Sequence, residues 1–325
     1  MKAAAIKGRT VVIVGASSGN GRAAAHEFAR NGARLVLVAR RREALEEVVW
    51  ECEALGGTAI AVPADITDPS MVARIVQQAT TRFGRLDIWV NCAAVLQFGR
   101  IEDTPPAILE RVITTNVVGY LYGSQAAIRQ FRRQGAGILI NVSSVLGLAA
   151  EAYSSAYSAS KFAIRGLTDA IRQEVHDAPD IHVCTVFPFA IDTPIYQHAA
   201  NFTGHEVTPI HPRYSADVVA KAVIRLARRP RPQIYAGGLA ALLPWPAALA
   251  PMLSGRLIRM AAQTMQIHDA RSAVSAGNVF NPIDDDLTIS GGWGRSASAG
   301  GDRLTLTLAG VALAIGAVVL LRRRR

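Results

Sequence analysis

TVVIVGASSGNG, residues 10–21, decides how this chain folds. Thr10 to Val14 are five consecutive β-branched residues. A run that short and that apolar reads as a strand buried on both faces, as in a parallel sheet. Gly15, Gly19 and Gly21 follow at once, and a helical pattern begins at Gly21. A turn of this kind lets backbone approach a pyrophosphate, and the helix start offers it free N–H groups. Met1-Lys2 and the next apolar residues resemble a short signal peptide, but the run feeds into Gly15 and is read as a strand instead.

Outward from this stretch, strands and helices alternate. Apolar β-branched runs lie at 10–14, 34–39, 58–63, 86–91, 138–142, 182–187 and 233–235. Helical patterns fill 21–31, 42–55, 69–83, 106–131, 155–176 and 216–228. Alternation implies right-handed crossovers and a parallel sheet covered on both faces, so the expected fold is α/β, doubly wound and Rossmann-like, with about seven strands. Asn31-Gly32 and Gly56-Gly57 close helices with a left-handed residue, and Asp68-Pro69 opens one.

The bulk numbers agree with a globular chain. There are 325 residues, half of them apolar and 18% charged. Cys52, Cys92 and Cys184 are scattered and read as small buried residues in a reducing compartment. The net charge is +10, of which the terminal arginines 322–325 supply four. Without aromatic-basic interleaving, this charge does not point to nucleic acid.

The chemistry is carried by YSASK and NVSSVLG. Tyr157 and Lys161 are four apart and share a helix face. An ammonium beside a phenol favours the phenolate. It should lower the phenol pKa from ~10 towards working pH. A phenol so tuned can exchange protons with an alcohol or carbonyl oxygen. Ser144 lies thirteen residues before Tyr157.

These motifs, in this order and spacing, resemble the short-chain dehydrogenase/reductase family over about residues 7–237. The resemblance implies catalysis by Asn116, Ser144, Tyr157 and Lys161, with Ser143 structural. It implies that Gly15, Ser17, Ser18, Gly19, Asn20 and Gly21 line the dinucleotide. Asp65 would meet the adenine with Ile66 beside it, and Asn91 would support sheet and cofactor. Pro188 and Thr193 would lie at the nicotinamide, and Tyr157 and Lys161 would also touch the cofactor. Asn116 would hold a water in a proton relay through Lys161. Three departures stand out: Val14 for the usual Thr, Cys92 and Ala94 in NCAA, and Phe189 after Pro188, where a glycine is usual. Phe189 would put a ring beside the nicotinamide and shape an apolar pocket, or else the loop there would differ in conformation.

The end of the second strand selects the cofactor. An acidic residue there would bind a ribose 2′-hydroxyl, but this chain has Ala39 followed by Arg40, Arg41 and Arg42. Arginine suits a phosphate, and cations at a helix start are otherwise unfavourable. NADP(H) is therefore expected, with Arg40 the main clamp and Ser17 assisting. No metal site is expected from His198, His205 and His211, which read as loop residues.

The last third departs from the family pattern. The expected organisation is a catalytic domain over 1–238, an apolar and amphipathic extension over 239–268, a flexible linker over 269–303 and a transmembrane helix over 304–321. Pro244, Pro246 and Pro251 forbid one regular helix through 239–253. The uncharged stretch 304–321 would rise about 27 Å as a helix, near the ~30 Å hydrocarbon core. The expectation is thus a membrane-associated homo-oligomer with a single C-terminal anchor in the lipid bilayer and a cytoplasmic catalytic domain. The expected reaction is alcohol–carbonyl interconversion on a hydrophobic substrate. The alternative is a catalytically quiet NADPH-binding sensor or a membrane-tethered adaptor.

Overall fold

The structure, a computed structural model, describes residues 4–296 apart from 243, 284 and 286. Its first half runs β1 (Thr10–Val14), α1 (Gly19–Arg30), β2 (Arg34–Ala39), α2 (Arg42–Ala54), β3 (Thr58–Pro63), α3 (Pro69–Phe83) and β4 (Ile88–Asn91). The short β5 (Gln97–Phe98) leads to α4 (Pro106–Ile113), α5 (Gly119–Gln134), β6 (Gly137–Val142), α6 (Ser155–Glu174) and β7 (Ile181–Pro188). Then come β8 (Ile191–Asp192), β9 (Ala200–Asn201), β10 (His205–Val207), β11 (Tyr214–Ser215), α7 (Asp217–Arg228) and β12 (Gln233–Ala236). The extension holds α8 (Pro244–Leu249), α9 (Pro251–Ala261) and β13 (Ile267–Arg271).

Seven strands form one parallel sheet in the order β12-β7-β6-β4-β1-β2-β3. The order reverses between β1 and β4, and ligands of such sheets bind outside the strand ends at that point. β1 shows why the run at 11–14 had to be apolar throughout. Val11 and Ile13 pack with Phe28 of α1 and Val223 of α7, whereas Val12 and Val14 face Ile75 of α3 and Phe131 of α5. Successive side chains leave a strand on opposite faces, and here both faces are covered.

The local signals act as their chemistry suggests. Asp68 accepts hydrogen bonds from the N–H groups of Ser70 (2.8 Å) and Met71 (3.4 Å), with Pro69 in the first turn of α3. Gly32 and Gly56 adopt left-handed backbone after α1 and α2. The helix expected over 106–131 is interrupted, because a π-helical turn, Thr114–Val118, separates α4 from α5. Its extra residue turns Asn116 into the protein. Asn116 Oδ1 accepts from the Val95 N–H (2.9 Å), and Nδ2 donates to the Val95 carbonyl (3.0 Å) and Ser160 Oγ (3.1 Å).

Two expectations about the last third are corrected. The first is the flexible linker over 269–303. Within the described residues, β13 pairs with β10, Val279 is fully buried, and 278–283 and 287–294 lie along the mouth of the sheet. Backbone carbonyls and N–H groups make most of these contacts, so no apolar period announced them. The second correction is the membrane-associated placement. No helix among the described residues is long and apolar enough to cross a membrane. The proline-broken stretch makes a helix of 6 residues and another of 11, against the ~20 a span requires. The segment 304–321, on which the anchor rested, lies outside the described residues.

Candidate active site

The glycine turn after β1 opens into a cleft lined by Gly15, Ser17, Ser18, Gly19, Asn20 and Gly21. Arg40, Asp65, Ile66 and Thr193 stand on its other walls. Gly15 has φ +86°, and a Cβ there would come within 2.6 Å of the Ala93 backbone. A Cβ at Gly21 would run into the Gly15 carbonyl, so neither glycine is replaceable without moving the loop. Ser18 precedes α1 but its side chain makes no cap, which leaves the helix start to be satisfied from elsewhere. Asn20 Oδ1 and Thr115 Oγ1 are buried with no hydrogen-bond partner among the described residues. A glycine-rich cradle, a cationic wall and the orphaned Thr115 hydroxyl fit a dinucleotide phosphate group.

The remaining cofactor-side residues divide. Asp65 Oδ2 pairs with Arg111 at 2.7 Å, and its Oδ1 accepts from the Thr67 N–H and hydroxyl. Burial opposes its charge, and these bonds overcome it to hold the carboxyl below its ordinary pKa. Arg40 donates to the carbonyls of Asn278 (2.8 Å) and Phe280 (2.9 Å). Asn91 is buried away from the cleft, accepting from the Trp89 indole (2.7 Å) and donating to Asn141 (2.8 Å). It ties β4 to β6 and is not among the residues that line the cleft.

A second cavity adjoins the first, and Asn20, Cys92, Ala94 and Thr193 line both. Here the structure gathers Ser144, Tyr157, Lys161 and Pro188. Ser144 ends the loop after β6, and its hydroxyl accepts the Leu146 N–H at 3.1 Å. Ser143 instead donates to the Lys161 carbonyl (2.9 Å), fastening the loop to α6. Tyr157 and Lys161 do share a face of α6: Lys161 Nζ lies 5.2 Å from the centre of the Tyr157 ring. Nζ also donates to the Val142 carbonyl at 3.3 Å.

The expected direction of the phenol pKa is corrected. Burial pushes Tyr157 well up, Glu151 adds to this, and a hydrogen bond with Ser144 only partly opposes it. The same burial pushes Lys161 down to about 8. In this dry site, desolvation of both groups outweighs their mutual help.

Two features went unrecognised in the sequence. Glu151 lies in the second cavity, only 8% exposed, with burial raising its pKa to about 7 against hydrogen bonds from Ser154 and Gln266. Its lone carboxyl in the apolar stretch VLGLAAEAY was the available signal. The other is the segment made of 278–283 and 287–294, which carries no such signal. Phe189 behaves as expected of a pocket wall: it lines the cavity, edge-on to Tyr214 at 6.2 Å.

A doubly wound sheet with a glycine cradle at its switch point and a Ser–Tyr–Lys group beside it defines a nucleotide-dependent oxidoreductase fold. The profile of the family described as short chain dehydrogenase matches residues 9–203. The uncharacterized oxidoreductase YxnA of Bacillus subtilis is 37% identical over 263 residues, 79% of this chain and 73% of that one. Dehydrogenase/reductase SDR family member 7B of Bos taurus is 31% identical over 269 residues, 79% and 82% of the two chains. The Bos taurus 3-ketodihydrosphingosine reductase is 34% identical over 59% of each. A crystal structure of a short chain dehydrogenase from Mycobacterium paratuberculosis bound to NAD superposes with a TM-score of 0.64 at 25% identity, covering 73% of this chain and 100% of that one. The chain therefore belongs to the short-chain dehydrogenase/reductase family.

Proposed function

We propose that the protein is an NADP(H)-dependent oxidoreductase interconverting an alcohol and a carbonyl on an apolar substrate. The observation that carries this reading is the junction of the two cavities, which sets Ser144 and Tyr157 beside the glycine cradle. When bound, the nicotinamide supplies the hydride chemistry. Ser144 holds the substrate oxygen, and Tyr157 gives it a proton in reduction or takes one in oxidation. A phenol kept neutral by burial suits the donor role. Lys161, fixed by the Val142 carbonyl, is the residue to hold the nicotinamide ribose. Asn116 acts as a positioning residue, clamping the loop after β4 that lines both cavities.

NADP(H) is favoured over NAD(H) because Arg40 stands at the end of β2 with no carboxylate in the position that would bind a 2′-hydroxyl. The apolar substrate is favoured by Leu96, Phe98, Val145, Phe189, Ile195 and Tyr196 around Tyr157. The name 3-ketodihydrosphingosine reductase attached to one relative is in keeping with reduction of a keto group. Exposed Leu121 on α5 and Phe162 on α6 support a homo-oligomer through that face. The test is NADPH consumption against a panel of aliphatic, cyclic and polar carbonyl compounds. Turnover of apolar ketones or aldehydes is the expected outcome. NADPH binding with no turnover of any carbonyl would instead mark a quiet nucleotide sensor.

A further inference from the structure

Glu151 is a charge-bearing group that the proposed reaction does not use. It stands in the turn before α6, in the same cavity as Ser144 and Tyr157. Its Oε2 accepts from the Ser154 hydroxyl at 3.2 Å, and the Gln266 side chain supplies a further hydrogen bond. Among the described residues no cation pairs with it or offsets its charge. A buried carboxylate without a counter-charge is unfavourable, and a glutamine of the same size would avoid the cost. A buried carboxyl that opposes stability, yet faces the cavity, is suited to a ligand that brings the missing positive charge.

We propose that Glu151, supported by Gln266, is a recognition site for an ammonium group on the substrate. Resting on the carbonyl reading above, this makes the substrate an apolar ketone or alcohol bearing a primary amine near the reacting carbon. The test compares binding of hexylamine and 1-hexanol to the NADPH-loaded full-length protein by calorimetry. The amine should bind more tightly by roughly tenfold or more, and the preference should collapse towards unity in Glu151→Gln. Equal affinities in the wild type, or a preference that survives in Glu151→Gln with its fold intact by circular dichroism, would overturn the proposal. Neither binding measurement requires turnover. Carbonyl reduction without amine preference would therefore sink this site alone, and absent reduction would sink the reading beneath it.

A different observation carries a second inference. Within residues 278–283 and 287–294, backbone carbonyls sit on the donors of the cofactor cleft. Arg40 binds those of Asn278 and Phe280 and Arg41 that of Ile283 (2.9 Å); outside the cleft lining, Arg22, which is paired with Glu47 and Glu51, binds that of Leu287 (2.7 Å). The Gly19 N–H at the start of α1 donates to the Thr288 carbonyl at 3.0 Å. Each end is anchored beyond the cleft. Val279 is fully buried in the cluster that includes Val112 and Ala200. At the other end, Asp192 accepts from the Ser290 hydroxyl (2.8 Å) and the N–H groups of Gly291 (2.9 Å) and Trp293 (3.1 Å). The Trp293 indole donates to the Thr193 carbonyl at 3.2 Å.

The geometry points to a self-ligand: these carbonyls occupy the donors that a dinucleotide needs, so cofactor entry requires this strap to release them. Hydrogen–deuterium exchange of the full-length protein tests it. Addition of NADPH should speed exchange in peptides covering 278–292, and Trp293→Ala should bind NADPH several-fold more tightly by fluorescence titration. Protection of the same peptides by NADPH, or weaker binding by Trp293→Ala, would mean that the strap covers a bound cofactor instead of competing with it.

Discussion

Replacing Glu151 by Gln should stabilise the protein, and only above mildly acidic pH. The carboxyl is 8% exposed, and burial lifts its pKa from 4.5 to about 7. An acid whose folded pKa is raised binds its proton more tightly in the folded state. Stability is therefore greatest below pH 4.5 and is lost as pH rises to about 7, beyond which the deficit is constant. At about 1.4 kcal/mol per pKa unit, a rise of that size costs about 3 kcal/mol once both states are ionised. Glutamine keeps the shape and can still bond Ser154, but it has no charge to desolvate. Thermal unfolding followed by circular dichroism from about pH 4 to about pH 8 should show the two proteins diverging steadily. At roughly 2–4 °C per kcal/mol, the variant should melt about 6–12 °C higher at the alkaline end. A difference that stays constant with pH would refute the reasoning, because it would mean that Glu151 is not desolvated or has a cationic partner in solution.

Other outcomes follow from the same geometry. Arg40→Ala should weaken NADPH binding by roughly tenfold while leaving NADH less affected, read by fluorescence titration of both nucleotides. Equal losses would place the 2′-phosphate elsewhere. Gly15→Ala forces a Cβ to within 2.6 Å of the Ala93 backbone at a left-handed φ, and should cost about 1–3 kcal/mol in urea unfolding as well as nucleotide affinity. Lys161 loses its proton at about 8, so kcat/KM should decline above that pH, and the decline should move upward in Lys161→Arg.

The sheet was legible because both faces of it are covered. Parallel strands such as β1 and β2 are apolar where they are covered, at 11–14 and 35–38, which leaves a clear run ahead of the next turn. The Ser144–Tyr157–Lys161 group was legible because helical spacing fixes which side chains meet. What the sequence hid depends on tertiary context. The π turn at Asn116 has no spacing signature, since its cause is the grip of Val95 and Ser160 on one amide. The strap contacts the cleft through carbonyl oxygens, which every residue carries. The direction of the Tyr157 pKa was misjudged because a neighbour at i+4 says nothing of how dry the site is, and burial decides the sign.

The most direct measurement is NADPH-linked carbonyl reduction by Tyr157→Phe alongside a fluorescence titration of NADPH binding to the same variant. Losing the phenolic oxygen while keeping the ring should abolish turnover and leave nucleotide affinity near that of the wild type. Substantial turnover without that hydroxyl would contradict Tyr157 as the proton carrier, and with it the chemistry assigned to the junction of the two cavities.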